Sequence, residues 1–97
     1  VGRGWALLAR NWRGAGGELD LVVGHHGKLR FVEVKVREPG DPLADDAVSP
    51  HKRRRLKRAA EAWLAAWPEP FDEACFLVAY VDARVDPWSV RWLDDAF

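Results

Sequence analysis

Apolar residues alternate with polar ones in two neighbouring stretches of the chain, and this alternation predicts strands. In Glu18 to Val23, Leu19, Leu21 and Val23 share one face, while Glu18, Asp20 and Val22 share the other. In Leu29 to Arg37, Val32, Val34 and Val36 lie opposite Phe31, Glu33 and Lys35. Gly24-His25-His26-Gly27 separates the two stretches and suits a hairpin turn, since its glycines accept positive φ. A loop of two or four residues centred on His25-His26 sets Asp20 opposite Phe31 and diagonal to Glu33. Asp20, Glu33 and Lys35 then converge on one face.

A different period follows. Leu56, Ala60, Trp63 and Trp67 recur at four, three and four residues, the buried stripe of a helix from about 50 to 67. Ser49 caps it, Pro50 suits its first turn, and Pro68 ends it. Ala74 to Val81 is a continuous apolar run, expected as a central strand covered on both faces. Trp88, Val90 and Trp92 alternate with Ser89 and Arg91 in a last, half-exposed strand. Ahead of all these, Trp5 to Arg13 reads as a first strand or the tail of a helix, ending before Gly14, Gly16 and Gly17. The predicted order is β-β-β-α-β-β, with Glu38 to Val48, rich in Pro, Gly and acids, as a surface loop.

Length limits what this pattern can build. Ninety-seven residues make a single domain, spanning 1–97, with one small core. No apolar stretch approaches the roughly 20 residues that span a bilayer, which excludes a membrane segment. One cysteine, Cys75, permits no internal disulfide, and no basic-then-apolar leader opens the chain, so a cytoplasmic protein is expected.

The net charge is zero, but the charges are segregated. Residues 1–37 hold seven bases and three acids, 38–49 four acids and no base, 50–60 six bases and no acid, and 61–97 two bases and eight acids. Lys52, Arg53, Arg54, Arg55 and Arg58 therefore form a cationic patch within the helix, suited to nucleic-acid phosphates. Lys52 lies about 40° around the helix from Leu56 and extends the buried stripe, whereas Arg54 and Arg58 fall near the opposite side. Cations in the first turns oppose the helix dipole, a conflict that an external anion relieves. The bland alternative is a solvated face paired with the acidic segments.

The chemistry lies in the converging acids. Asp20 and Glu33 offer hard oxygen ligands suited to Mg²⁺ or Mn²⁺, ions that bind through one or two carboxylates plus substrate phosphate, and the Val34 carbonyl is a third candidate ligand. Lys35 would orient or help deprotonate an attacking water and stabilise charge developing on phosphorus. The reaction class is phosphodiester hydrolysis. From spacing alone, an exposed cross-strand ion-pair cluster worth at most about 1 kcal/mol is the commoner meaning of such a trio. His25 and His26 belong to a turn rather than a metal pair, Cys75 to the core, and the tryptophans at positions 63, 67, 88 and 92 to core or cover.

The run as a whole adds to this reading. Arg10-Asn11-Trp12-Arg13, Gly17-Glu18-Leu19-Asp20-Leu21, Phe31-Val32-Glu33-Val34-Lys35, Ala47-Val48 with Lys52 and Leu56, and the closing Asp95-Ala96-Phe97 resemble the YraN-like family of small bacterial proteins. That family looks like part of the PD-(D/E)xK nuclease superfamily, similar to archaeal Holliday-junction resolvases. The resemblance implies an α/β, restriction-endonuclease-like mixed β-sheet flanked by helices, with the N-terminal helix missing here. It further implies a Mg²⁺- or Mn²⁺-dependent endonuclease acting on DNA, with structure selectivity for branched DNA, and a homodimer. Asp20 and Glu33 match its metal-ligand acids, Lys35 its motif lysine, and Glu18 a further family acid. Two departures stand out: the family's opening helix carries a Gly-Glu pair ahead of the region that Gly4-Trp5 starts here, and its late-strand Phe-Asp is Phe76-Leu77. The alternatives are a nucleic-acid-binding module without catalysis and a scaffold whose basic helix docks a partner.

Overall fold

The computed structural model describes residues 4–37, 49–85, 87 and 89–94. The expected loop over 38–48, Trp88 and the closing 95–97 lie outside them. Five strands and one helix follow in the predicted order: β1 (Ala6–Gly14), β2 (Gly17–His25), β3 (Lys28–Arg37), α1 (Pro50–Ala66), β4 (Glu73–Asp82) and β5 (Ser89–Asp94). One sheet holds all five in the order β1-β2-β3-β4-β5, antiparallel except for the parallel pair β3–β4. This mixed sheet with a helix in its crossover is the α/β, restriction-endonuclease-like arrangement expected. No helix precedes β1 among the described residues. None is long and apolar enough to cross a membrane.

Two-residue turns set the meander β1-β2-β3. Ala15 and Gly16 (φ 52° and 79°) join β1 to β2, and His26 and Gly27 (φ 49° and 78°) join β2 to β3. Positive φ at both central residues matches the twist of the flanking strands. The second turn is thus centred one residue later than the sequence suggested. Val22 faces Phe31 and Leu21 faces Val32, so one further step brings Asp20 abreast of Glu33 rather than of Phe31. The loop is still even in length, so the predicted common face of the two acids survives the two-residue correction.

Helix α1 begins as its sequence requires. The Ser49 side chain accepts a hydrogen bond from the Lys52 amide at 3.2 Å, and Pro50 occupies the first turn. Leu56, Ala59, Ala60 and Trp63 are its buried residues, packed on Leu19, Val22, Leu29, Phe31 and Val78 of the sheet. Phe31 meets Trp63 edge-on at 5.8 Å between ring centroids, and Trp63 stacks on Trp67 at 4.8 Å. Val23, Val32 and Ala79 form a second, smaller cluster, covered in part by Trp5. β4 is internal but not central, since β3 holds the middle of the sheet. β5 is an edge strand, like β1, and its Val90 and Trp92 are exposed, so Trp92 is not the core or cover residue that the alternation suggested.

Two local features mark the β1–β2 hairpin where it meets α1. Asn11 adopts φ 51° in mid-strand, between the paired Arg10–Leu21 and Trp12–Leu19, while the register of the pair shifts earlier, between Leu7 and Ala9. Asparagine tolerates this left-handed conformation better than most residues. Beside it the alternation of β2 breaks, and Leu19 and Val22, three apart, both join the helix-side core. At the hairpin end, Gly17 is buried against the helix: a Cβ there would stand 2.5 Å from the Arg55 carbonyl oxygen and 3.2 Å from the Ala59 Cβ. Gly17→Ala is therefore expected to push α1 off the hairpin at a cost of about 1–3 kcal/mol, as overpacking does. Urea denaturation checks this; an unchanged midpoint would mean that the helix is not held by this contact.

Candidate functional site

Strands β2 and β3 part company at the acids. Their ladder ends at Leu21–Val32, while β3 continues beside β4 through Glu33–Val78, Val34–Ala79 and Lys35–Tyr80. Where the ladder stops, the Asp20 side chain takes over from the backbone: its Oδ2 accepts a hydrogen bond from the Val34 amide at 2.9 Å. The opening is a cleft of about 370 Å³ walled by the hairpin, β3 and the first turns of α1. Gly17, Glu18, Asp20, Glu33, Lys52, Arg55 and Leu56 line it.

Among the described residues Glu33 is the one charged side chain that is buried, 6% exposed. Lys52, reaching down from α1, forms an ion pair with its Oε1. Burial pushes the Glu33 carboxyl above its ordinary value of 4.5; the Lys52 hydrogen bond opposes this, and the charge of Asp20 adds to the rise. Two acids and one ammonium thus share a partly dry cleft, in which a carboxylate lacking a compensating cation is costly.

The predicted residues separate into those inside the cleft and those outside it. Asp20, Glu33 and Glu18 line it together, although Glu18 stands at the exposed rim and pairs with Arg13 of β1 at 3.3 Å. Lys35 lies two residues beyond Glu33, half-buried and in register with Tyr80, and does not line the cleft. Of the cationic patch, Lys52 and Arg55 face the cleft, and the Arg55 Nε donates to the Gly16 carbonyl at 3.2 Å. Arg54 and Arg58 are exposed on the helix, as their angular positions required, and Arg53 is half-buried. A second hollow, lined by Arg13, Gly14, Gly16, Gly17, Glu18 and Arg55, continues from the first past the hairpin tip.

Sequence reasoning did not foresee three features: Gly17 as the seat of the helix, the left-handed conformation of Asn11, and the use of Lys52 to neutralise Glu33. Only the last had a signal, because Lys52 extends the apolar stripe and so had to point at the sheet. The histidine pair lies away from the acids: His25 Nδ1 is 2.9 Å from the Gly4 carbonyl oxygen, and its ring is 5.2 Å from that of Trp5.

The donor set fits a hard divalent ion. No group of three or more His, Cys, Asp or Glu side chains is gathered as a metal cage among the described residues. Two carboxylates are, however, what Mg²⁺ commonly takes from a protein. In an extended strand the N–H and C=O of one residue leave on the same side. Val34, whose amide meets Asp20, therefore turns its carbonyl towards β2 as well.

A restriction-endonuclease-like α/β sheet with paired acids at a strand parting defines the class of protein. The chain matches the model of the uncharacterised protein family UPF0102 over residues 1–87 and belongs to that family, which is the YraN family. A UPF0102 protein of Halorhodospira halophila is 43% identical over 99% of this chain and 74% of its own length. One from Synechococcus is 46% identical over 84% of this chain and 65% of its own, and one from Roseiflexus castenholzii 48% over 70% and 56%. The chain thus spans only part of the length of the relatives it matches.

The raised Glu33 carboxyl has a defined effect on stability. Folding favours its protonated form, so the contribution is fully present below about pH 4.5 and is lost as pH rises through the higher folded-state value. Glu33→Gln should remove that decline and be the more stable protein at neutral pH in chelator. Urea melts of both proteins from pH 4 to 8 test it, and parallel pH profiles would refute the assignment.

Proposed function

We propose that this domain is the core of a metal-dependent endonuclease that hydrolyses DNA phosphodiester bonds. The observation that carries the proposal is the meeting of Asp20 and Glu33 in a cleft whose other wall is cationic, with Lys52 and Arg55. Acids alone would repel a phosphodiester, and cations alone would bind it without cutting. Asp20 and Glu33, with the Val34 carbonyl, would hold Mg²⁺ or Mn²⁺, which supplies Lewis acidity and a more acidic water. Arg55 and Arg13, flanking the hollow that continues from the cleft, hold backbone phosphates. Exposed Arg54 and Arg58 add field rather than fixed contacts, and such phosphate binding is indifferent to sequence and steeply dependent on salt. Lys35 stands farther along β3 on the same face, and its role is to stabilise charge developing at phosphorus.

The Lys52–Glu33 ion pair supports a second reading, a DNA-binding module of the same shape that does not cut. Cleavage of labelled linear, single-stranded and four-way-junction DNA separates the two. Wild type is expected to cut in Mg²⁺ or Mn²⁺ and not in chelator. Asp20→Ala and Glu33→Ala should each lose at least about 100-fold in rate, and Lys35→Ala about 10-fold to 1000-fold, on the scale of removing one group that stabilises developing charge. Salt-sensitive binding without cutting by the folded wild type would establish the second reading. Sedimentation on junction DNA decides whether two copies act together, as symmetric cutting of two strands favours.

A further inference from the structure

The ion pair that closes the cleft is unusual in its placement. The Lys52 side chain is half-exposed yet commits its ammonium to Glu33, the most buried charge described, while Arg55 one turn on bonds a backbone carbonyl instead. Asp20 is already tied to the Val34 amide and cannot turn away from Glu33 without breaking that bond. The two carboxylates are thus fixed, and the lysine, on a flexible four-carbon stem, is the part able to leave.

We propose that Lys52 is a resident counter-ion, standing where a divalent cation would bind and yielding Glu33 to it. Lys52 and the divalent ion are then mutually exclusive partners of Glu33. The inference rests on the metal-site reading above and deepens it. With the ion bound, the displaced ammonium remains on the cleft wall beside Arg55 and adds positive charge where an anionic substrate must lie. Without the ion, it keeps the two acids folded together. The same residue would therefore hold the empty site in shape and lower the affinity of that site for metal.

The test is Mn²⁺ binding by the folded protein, followed by the loss of free-ion signal in electron paramagnetic resonance. Lys52→Gln is expected to bind Mn²⁺ about 10-fold to 100-fold more tightly than wild type, the scale of one charge-assisted hydrogen bond removed from competition. Arg55→Gln removes a charge from the same cleft without touching Glu33 and is expected to change affinity by no more than about fivefold. Equal gains in the two variants would reduce the effect to a general field and overturn the proposal, as would unchanged or weaker binding by Lys52→Gln. Saturable binding with no such gain would leave the metal site standing while the competition falls. Absence of Mn²⁺ binding in every protein would remove both. A second readout does not depend on the variant: acetylation of Lys52 in wild type should accelerate on adding Mg²⁺ while that of exposed Lys57 does not. An unchanged ratio would count against release of the lysine.

Discussion

Everything distinctive about this domain depends on one hydrogen bond, that from the Val34 amide to the Asp20 carboxylate. A regular ladder would have carried β2 alongside β3 to their ends and left no room between them. By taking the place of a backbone acceptor, Asp20 keeps the half-buried Val34 amide bonded where the strands separate. The separation admits the helix side chains Lys52 and Leu56 and makes the cleft. The same bond aims Asp20 at Glu33, so opening the sheet and building the candidate site are one structural event.

Charge and packing are reconciled from the helix side. Burying Glu33 beside Asp20 is unfavourable in itself, and the Lys52 ammonium opposes that cost. The first turns of α1 bring Lys52, and they can do so only because Gly17 allows the helix backbone to approach the hairpin closely. A cationic helix start is unfavourable against its own dipole. Set over two carboxylates, it has a partner for one of those charges.

Much of this was legible in the sequence. Alternation gave β2 and β3, the 4-3-4 stripe gave α1 and the residues it buries, and Ser49-Pro50 gave its start. Parity was enough to put Asp20 and Glu33 on one face, although the turn was placed one residue early. Gly24 and Gly27 bracket the histidines symmetrically, and nothing local reveals that His26 takes the positive φ. The continuous apolar run of β4 pointed to an interior strand but could not distinguish the second position from the middle. The contacts that remained hidden are those between elements far apart in sequence. Gly17 against Arg55 and Glu33 against Lys52 depend on how a helix lies on a sheet, which a linear pattern does not encode.

The β1-β2-β3 meander closes through two-residue turns, whereas the β3–α1–β4 crossover joins residues about 45 positions apart in a parallel pair. Loop-closure entropy makes the short connections the cheaper ones to form. The two acids are therefore brought together by local chain geometry, whereas the cation that pairs with Glu33 comes from a distant part of the chain. Without α1 the hairpin carries their repulsion unopposed, and docking brings Lys52 to offset it as it buries Leu56 and Trp63. Helix and hairpin are thereby coupled, the buried carboxylate of one element finding its counter-charge only on the other.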